Sequence, residues 1–142
     1  MTFLAPITKS KIYTTTPQIL WNKWTTNKGL KTFFGAENHV ELQIGGSFEI
    51  YFLMQNPEGL KGSETCKILA YIEKKMLVFS WNAPPHLSIV RNQLHKTWVV
   101  LFFTPLSPSA VKLELHHAGF LANDHPNGNK PANTLKKHGT MY

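Results

Sequence analysis

The chain has 142 residues, 42% hydrophobic and 16% charged, which suits a single globular domain able to bury roughly 68% of its unfolded surface. No run approaches the roughly 20 apolar residues of a membrane span, the opening MTFLAPITKSK lacks the basic-then-apolar order of a signal peptide, and the lone Cys66 excludes an internal disulfide framework, so a reducing cytoplasm is expected. A formal net charge of +7 points first to nucleic acid, but the lysines are scattered and Arg91 is the only arginine; base reading leans on arginine, so we expect a solvated basic surface and no specific nucleic-acid partner.

The segment ITKSKIY alternates enough to form a first strand from Ile7 to Thr14. TTTPQILWNKWTT then reads as a helix start, with Thr16 as N-cap and Pro17 as first helical residue, where its missing N–H costs nothing. Ile19, Leu20, Trp21 and Trp24 give it a short apolar stripe. A second short helix is expected over Lys28 to Phe33, ending at Gly35.

Everything after that reads as strands. HVELQI precedes Gly45-Gly46, a hairpin signal. SFEIYFLM puts Phe48, Ile50 and Phe52 on one face, with Glu49 and Tyr51 toward solvent on the other. NPEG is a further turn. GSETCKILAYI places Cys66, Ile68 and Ala70 on one side, and KKMLVFSW places Leu77, Phe79 and Trp81 on one face. NAPPHLSIVRN is a proline-broken loop, with His86 and Arg91 as polar contacts for a cavity mouth if it gates one. KTWVVLFFTPL is a nearly continuous apolar strand, and VKLELHHAGF carries Val111, Leu113, Leu115 and His117 on one face.

The expected order is therefore one strand, two short helices and about six antiparallel strands, an α+β fold with a curved sheet. Phe48, Phe52, Phe79, Trp81, Trp98 and Phe102 are too much aromatic surface to leave wet, at roughly 150–250 Å² each. A long amphipathic helix would be the natural lid. The last twenty residues, Asn123 to Tyr142, contain no Val, Ile, Phe or Trp, and Pro126, Gly128, Pro131 and Gly139 would break any helix there.

The segments PQILWNKWTTNKGLKTFFG, IGGSFEIYF, GSETCKILAYIEKKMLVFSWNAPP, KTWVVLFFTPL and LELHHAGF, which together run through most of the chain to Phe120, resemble the SRPBCC (START-like, helix-grip) superfamily. They look most like its bacterial members related to the heat-shock ATPase activators. The resemblance implies a helix-grip fold over residues 1–122, with 123–142 an atypical polar tail where the family has a closing helix patterned Trp, Tyr-Phe, Ala-Trp, Val. Codons exist for Pro126 to Tyr142 whose neighbouring frame reads QWKQTCQYFKKAWDNV, which has that pattern with its apolar residues on one helical face. A frameshifted reading of the lid is thus expected; a genuine polar tail is the alternative. Without a lid, the inner face would be bare and invite a homodimer or a bound amphiphile.

Three functions follow. The first, implied by the resemblance, is binding of a small hydrophobic ligand between sheet and lid, with Phe48, Ile50, Phe52, Glu64, Cys66, Phe79, Trp81, Trp98 and His117 facing the cavity and no cofactor. The second is an interaction with a chaperone ATPase. The third is an enzyme in which Glu64 and His117 supply acid–base chemistry. No catalytic residue is assigned: a lone strand cysteine is ordinarily inert packing, and Trp21 and Trp24 read as helix-to-sheet packing. No metal is expected at His116 and His117, because neighbouring strand residues face opposite sides.

Overall fold

A computed structural model describes residues 2–34, 37–82 and 96–122. Strand β1 (Ile7–Tyr13) leads into helices α1 (Pro17–Thr25) and α2 (Asn27–Phe34). Six strands follow: β2 (Glu37–Val40), β3 (Phe48–Tyr51), β4 (Ile68–Ile72), β5 (Met76–Trp81), β6 (Thr97–Ser107) and β7 (Ala110–Ala118). No helix among the described residues is long and apolar enough to cross a membrane. Gly35, the 83–95 loop with His86 and Arg91, and the 123–142 segment, on which the lid, the frame reading and the tail boundary depend, lie outside the described residues.

Thr16 caps α1 as its sequence position implies. Its backbone is extended and its hydroxyl accepts from the Ile19 amide at 3.2 Å. Thr26 repeats the device for α2, accepting from the Gly29 amide at 2.9 Å. One residue thus separates the two helices, and Gly29 allows the turn. A Cβ there would lie 2.2 Å from the Asn22 carbonyl oxygen and 2.5 Å from Lys23 Cα, so only glycine lets α2 press against α1.

The main sheet runs β1-β7-β6-β5-β4, all antiparallel. The first strand closes onto the last, with Ile7 opposite His117 and Tyr13 opposite Val111. Strands β2 and β3 form a separate pair. It is joined to the main sheet where the Phe48 amide meets the Cys66 carbonyl and the Gly45 amide meets that of Ile68. Gly45-Gly46 therefore belongs to a wider turn than the two-residue hairpin expected, because its backbone is engaged by β4 as well as by its own loop.

The inner face of the sheet carries Leu77, Phe79 and Trp81 from β5, Val99, Leu101 and Phe103 from β6, and Val111, Leu113, Leu115 and His117 from β7, all buried. Trp21 and Trp24 of α1 sit on it, Trp21 edge-on to Phe103 at 5.2 Å and Trp24 near-parallel to Phe79 at 6.4 Å. From the other side Phe48 stacks on Phe79 at 4.0 Å. Trp21, Trp24 and Phe48 thus cover part of the inner face.

Three face assignments are corrected. A β-bulge between Ile68 and Ala70 turns Ala70 outward opposite Val78 and brings Tyr71 inward against Trp21. Trp98 and Phe102 lie on the outer face, alternating with buried Val99, Leu101 and Phe103. Phe102 packs on His116 and Trp98 against Phe3. Glu49 and Tyr51 are half-buried, not solvated: the Tyr51 hydroxyl donates to Glu49 at 2.6 Å, and the other Glu49 oxygen accepts from the Thr65 amide.

Candidate functional site

Most of the residues expected to face a cavity are instead packed against one another. Phe48, Ile50, Cys66 and Phe79 have no exposed surface, and Trp81 almost none. Phe52 is half-buried and bridges Phe34 and Trp81, with ring centroids 5.7 and 6.3 Å away. Trp98 stands on the outer face, beside Gly119. That glycine has a φ of +89°, and a Cβ would come within 2.4 Å of the indole.

Glu64 is buried, but its carboxylate is engaged by backbone. It accepts from the amides of Lys61, at 2.9 and 3.1 Å, and Gly62, at 2.7 Å. A carboxylate receiving two amides fixes the connection into β4. His117 is on β7, beside β6, where its ring meets the Thr97 hydroxyl and packs against Phe120. His117 is fully buried; its Nε2 lies 2.8 Å from the Thr97 hydroxyl, and its Nδ1 has no partner among the described residues. Burial holds this imidazole down at about 3. His116, on the opposite face, lies 3.6 Å from Glu114.

Among the described residues, a space that could receive a ligand lies elsewhere. A cavity of about 340 Å³ opens between the end of β1 and the helix pair, lined by Lys11, Tyr13, Thr14, Thr15, Leu20, Lys23, Trp24 and Phe33. That volume lies within the range of roughly 300–1,000 Å³ typical of small-molecule sites. Leu20 and Trp24 are buried at its base, while Lys11 and Thr14 are exposed at its rim. Trp24 and Phe33 pack with centroids 4.9 Å apart, so two aromatic rings share one apolar wall. Tyr13 faces them from β1, and burial pushes its phenol above the ordinary value.

Each wall has a local cause. Residues 11 and 13 share the inner side of β1, opposite Leu113 and Val111 of β7. Leu20, Lys23 and Trp24 share a face of α1 by the three- and four-residue spacing of a helix. Lys23 donates to the Thr32 hydroxyl of α2 at 3.2 Å, which holds its stem along the cleft. Leu20 and Trp24 were legible as packing residues. The signal for the cleft was a lysine and a tyrosine alternating inward on β1, beside a lysine next to Trp24 on α1.

The sequence matches the family model described as Activator of Hsp90 ATPase homolog 1-like protein over residues 14–136. No curated protein matches the chain. Among solved structures, an HSP90 activator from Plasmodium falciparum superposes with a TM-score of 0.68 at 18% identity, covering 94% of this chain and 84% of that one. A Mesorhizobium loti protein gives 0.64 at 20% identity, over 86% and 81% of the two chains. A Bacillus halodurans protein gives 0.62 at 18% identity, over 97% and 86%. At such identities these likenesses speak for the helix-grip fold alone.

Proposed function

Because this chain belongs to the Activator of Hsp90 ATPase homolog 1-like family, of the SRPBCC type, we propose that it binds a small hydrophobic molecule, and that the ligand enters the cleft between β1 and the α1–α2 pair. The observation that carries this reading is the cavity of about 340 Å³ with Tyr13, Leu20, Trp24 and Phe33 in its walls. Apolar walls with a few polar groups at the rim are the usual make-up of a small-molecule site. The lone Cys66 favours the reducing cytoplasm as its compartment.

The probe of choice is the uncharged dye N-phenyl-1-naphthylamine, which brightens on leaving water. It should brighten with the native chain and lose most of that signal in Thr15→Trp, whose indole would fill the cleft from its wall. Brightening that survives Thr15→Trp unchanged would place any binding outside this cleft and overturn the reading.

A second reading is an interaction with a chaperone ATPase. It is favoured by the family's description and by an outer sheet face that exposes Phe102, Ile72 and Ile12. Added chain should then raise ATP turnover by an Hsp90-type chaperone, and Phe102→Ser should reduce the effect. The frame-shifted origin of residues 123–142 is likewise a proposal; the nucleotide sequence from Asn123 to the stop decides it.

A further inference from the structure

We propose that the cleft prefers amphiphiles carrying a carboxylate, with Lys11 and Lys23 as the cations that receive it. This rests on the ligand-binding reading above and names the ligand's chemical class. The two ammonium groups come from different walls, Lys11 from β1 and Lys23 from α1, and both line the same cavity. None of the eight lining residues is acidic. Lys23 is tied to a neutral hydroxyl, that of Thr32. Lys11 lies with its Nζ 5.2 Å from the centre of the Tyr13 ring, a partner of no net charge. Among the described residues, neither cation is thus neutralised at the cleft.

Two like charges line one cleft, and an anion placed there is attracted by both while a neutral headgroup is not. The hydroxyls of Tyr13, Thr14 and Thr15 in the same lining are donors for the remaining oxygen lone pairs. Below the rim the walls turn apolar at Leu20, Trp24 and Phe33. The resulting shape is one charged end and one greasy body, which describes a short fatty acid or an aromatic acid. The lining holds lysines and no arginine, so it presents point charges and no planar fork.

The test displaces bound N-phenyl-1-naphthylamine from the full chain with octanoate and, in parallel, with octanol. These share a chain length and differ in charge. Octanoate should compete about tenfold more strongly, and added salt should narrow the gap. Lys11→Gln and Lys23→Gln should each weaken octanoate about threefold or more relative to octanol. Lys23→Gln also removes the bond to Thr32; Thr32→Val removes that bond and keeps the charge, so it should preserve the preference for octanoate. Equal competition by octanoate and octanol, or a preference unmoved in both lysine variants, overturns the carboxylate assignment and leaves ligand binding standing. Failure of the dye to bind at all overturns the ligand-binding reading and this inference with it.

Discussion

His117 shares one hydrogen bond, its Nε2 lying 2.8 Å from the Thr97 hydroxyl, while its Nδ1 faces the core with no partner among the described residues. The imidazole is therefore held neutral, and its folded-state pKa of about 3 lies below the ordinary 6.5. The unfolded chain binds this proton more readily than the folded one. Stability from His117 is intact above about pH 6.5 and is lost as the pH falls from there toward 3, at a rate approaching tenfold in the folding constant per pH unit. Urea titrations at pH 7 and pH 5 should show the loss. The double variant His117→Leu/Thr97→Val removes the titrating imidazole together with its hydroxyl partner, at the cost of that hydroxyl's bond to the Trp81 carbonyl, and should flatten that part of the profile.

Gly29 sets the depth of the cleft by letting α2 lie against α1. Gly29→Ala should lower stability by about 1–3 kcal/mol, because the added methyl meets backbone atoms of Asn22 and Lys23 that cannot rotate away. The same substitution should weaken dye binding, since it pushes Phe33 and Trp24 apart. Chemical denaturation together with dye titration reads both effects.

Removal of the α1 cap gives a smaller loss. Thr16→Ala should cost about 1 kcal/mol, and Thr16→Ser should recover most of it by restoring an oxygen for the Ile19 amide. Circular dichroism melts of the three proteins would check the order.

Thr65 has a φ of +68°, a region that a β-branched residue rarely occupies. Glu49 accepts from its amide and Glu64 fixes the residues just before it, so the strained backbone is held from two sides. Thr65→Gly should raise stability by about 1 kcal/mol, an unusual sign for a strand-flanking glycine. A fall in the melting midpoint would mean that the Thr65 side chain contributes more than its strain costs.

Much of this fold is written in local chemistry. Thr16-Pro17 announces a helix start, and VKLELHHA alternates so regularly that its inner face could be assigned before any coordinates. WVVLFF has no polar residue to mark a face, so size alone argues for Trp98 and Phe102 inside. Their side is decided by register, because Val99 and Leu101 stand opposite His117 and Leu115. The bulge that exchanges Ala70 for Tyr71 leaves no mark in ILAYI. The cleft was harder still to see. Its lining comes from one stretch of chain, residues 11 to 33, but strand and helix meet there at an angle fixed by the whole core. The largest aromatic residues mark the packed centre of the molecule, whereas the half-open space beside it is rimmed by lysine and threonine side chains.

The pairing of β1 with β7 has a consequence for how the protein is made. A ribosome delivers Lys11 and Tyr13 first, but the strand they occupy has no neighbour until residues 110–118 emerge. From the emergence of β1 until that of β7, one wall of the cleft is an unpaired ribbon. Lys9 and Lys11, at alternate positions along that ribbon, are a standing deterrent to pairing with another nascent chain. The same ammonium that greets a carboxylate in the finished protein would thus first have kept the newborn strand solitary.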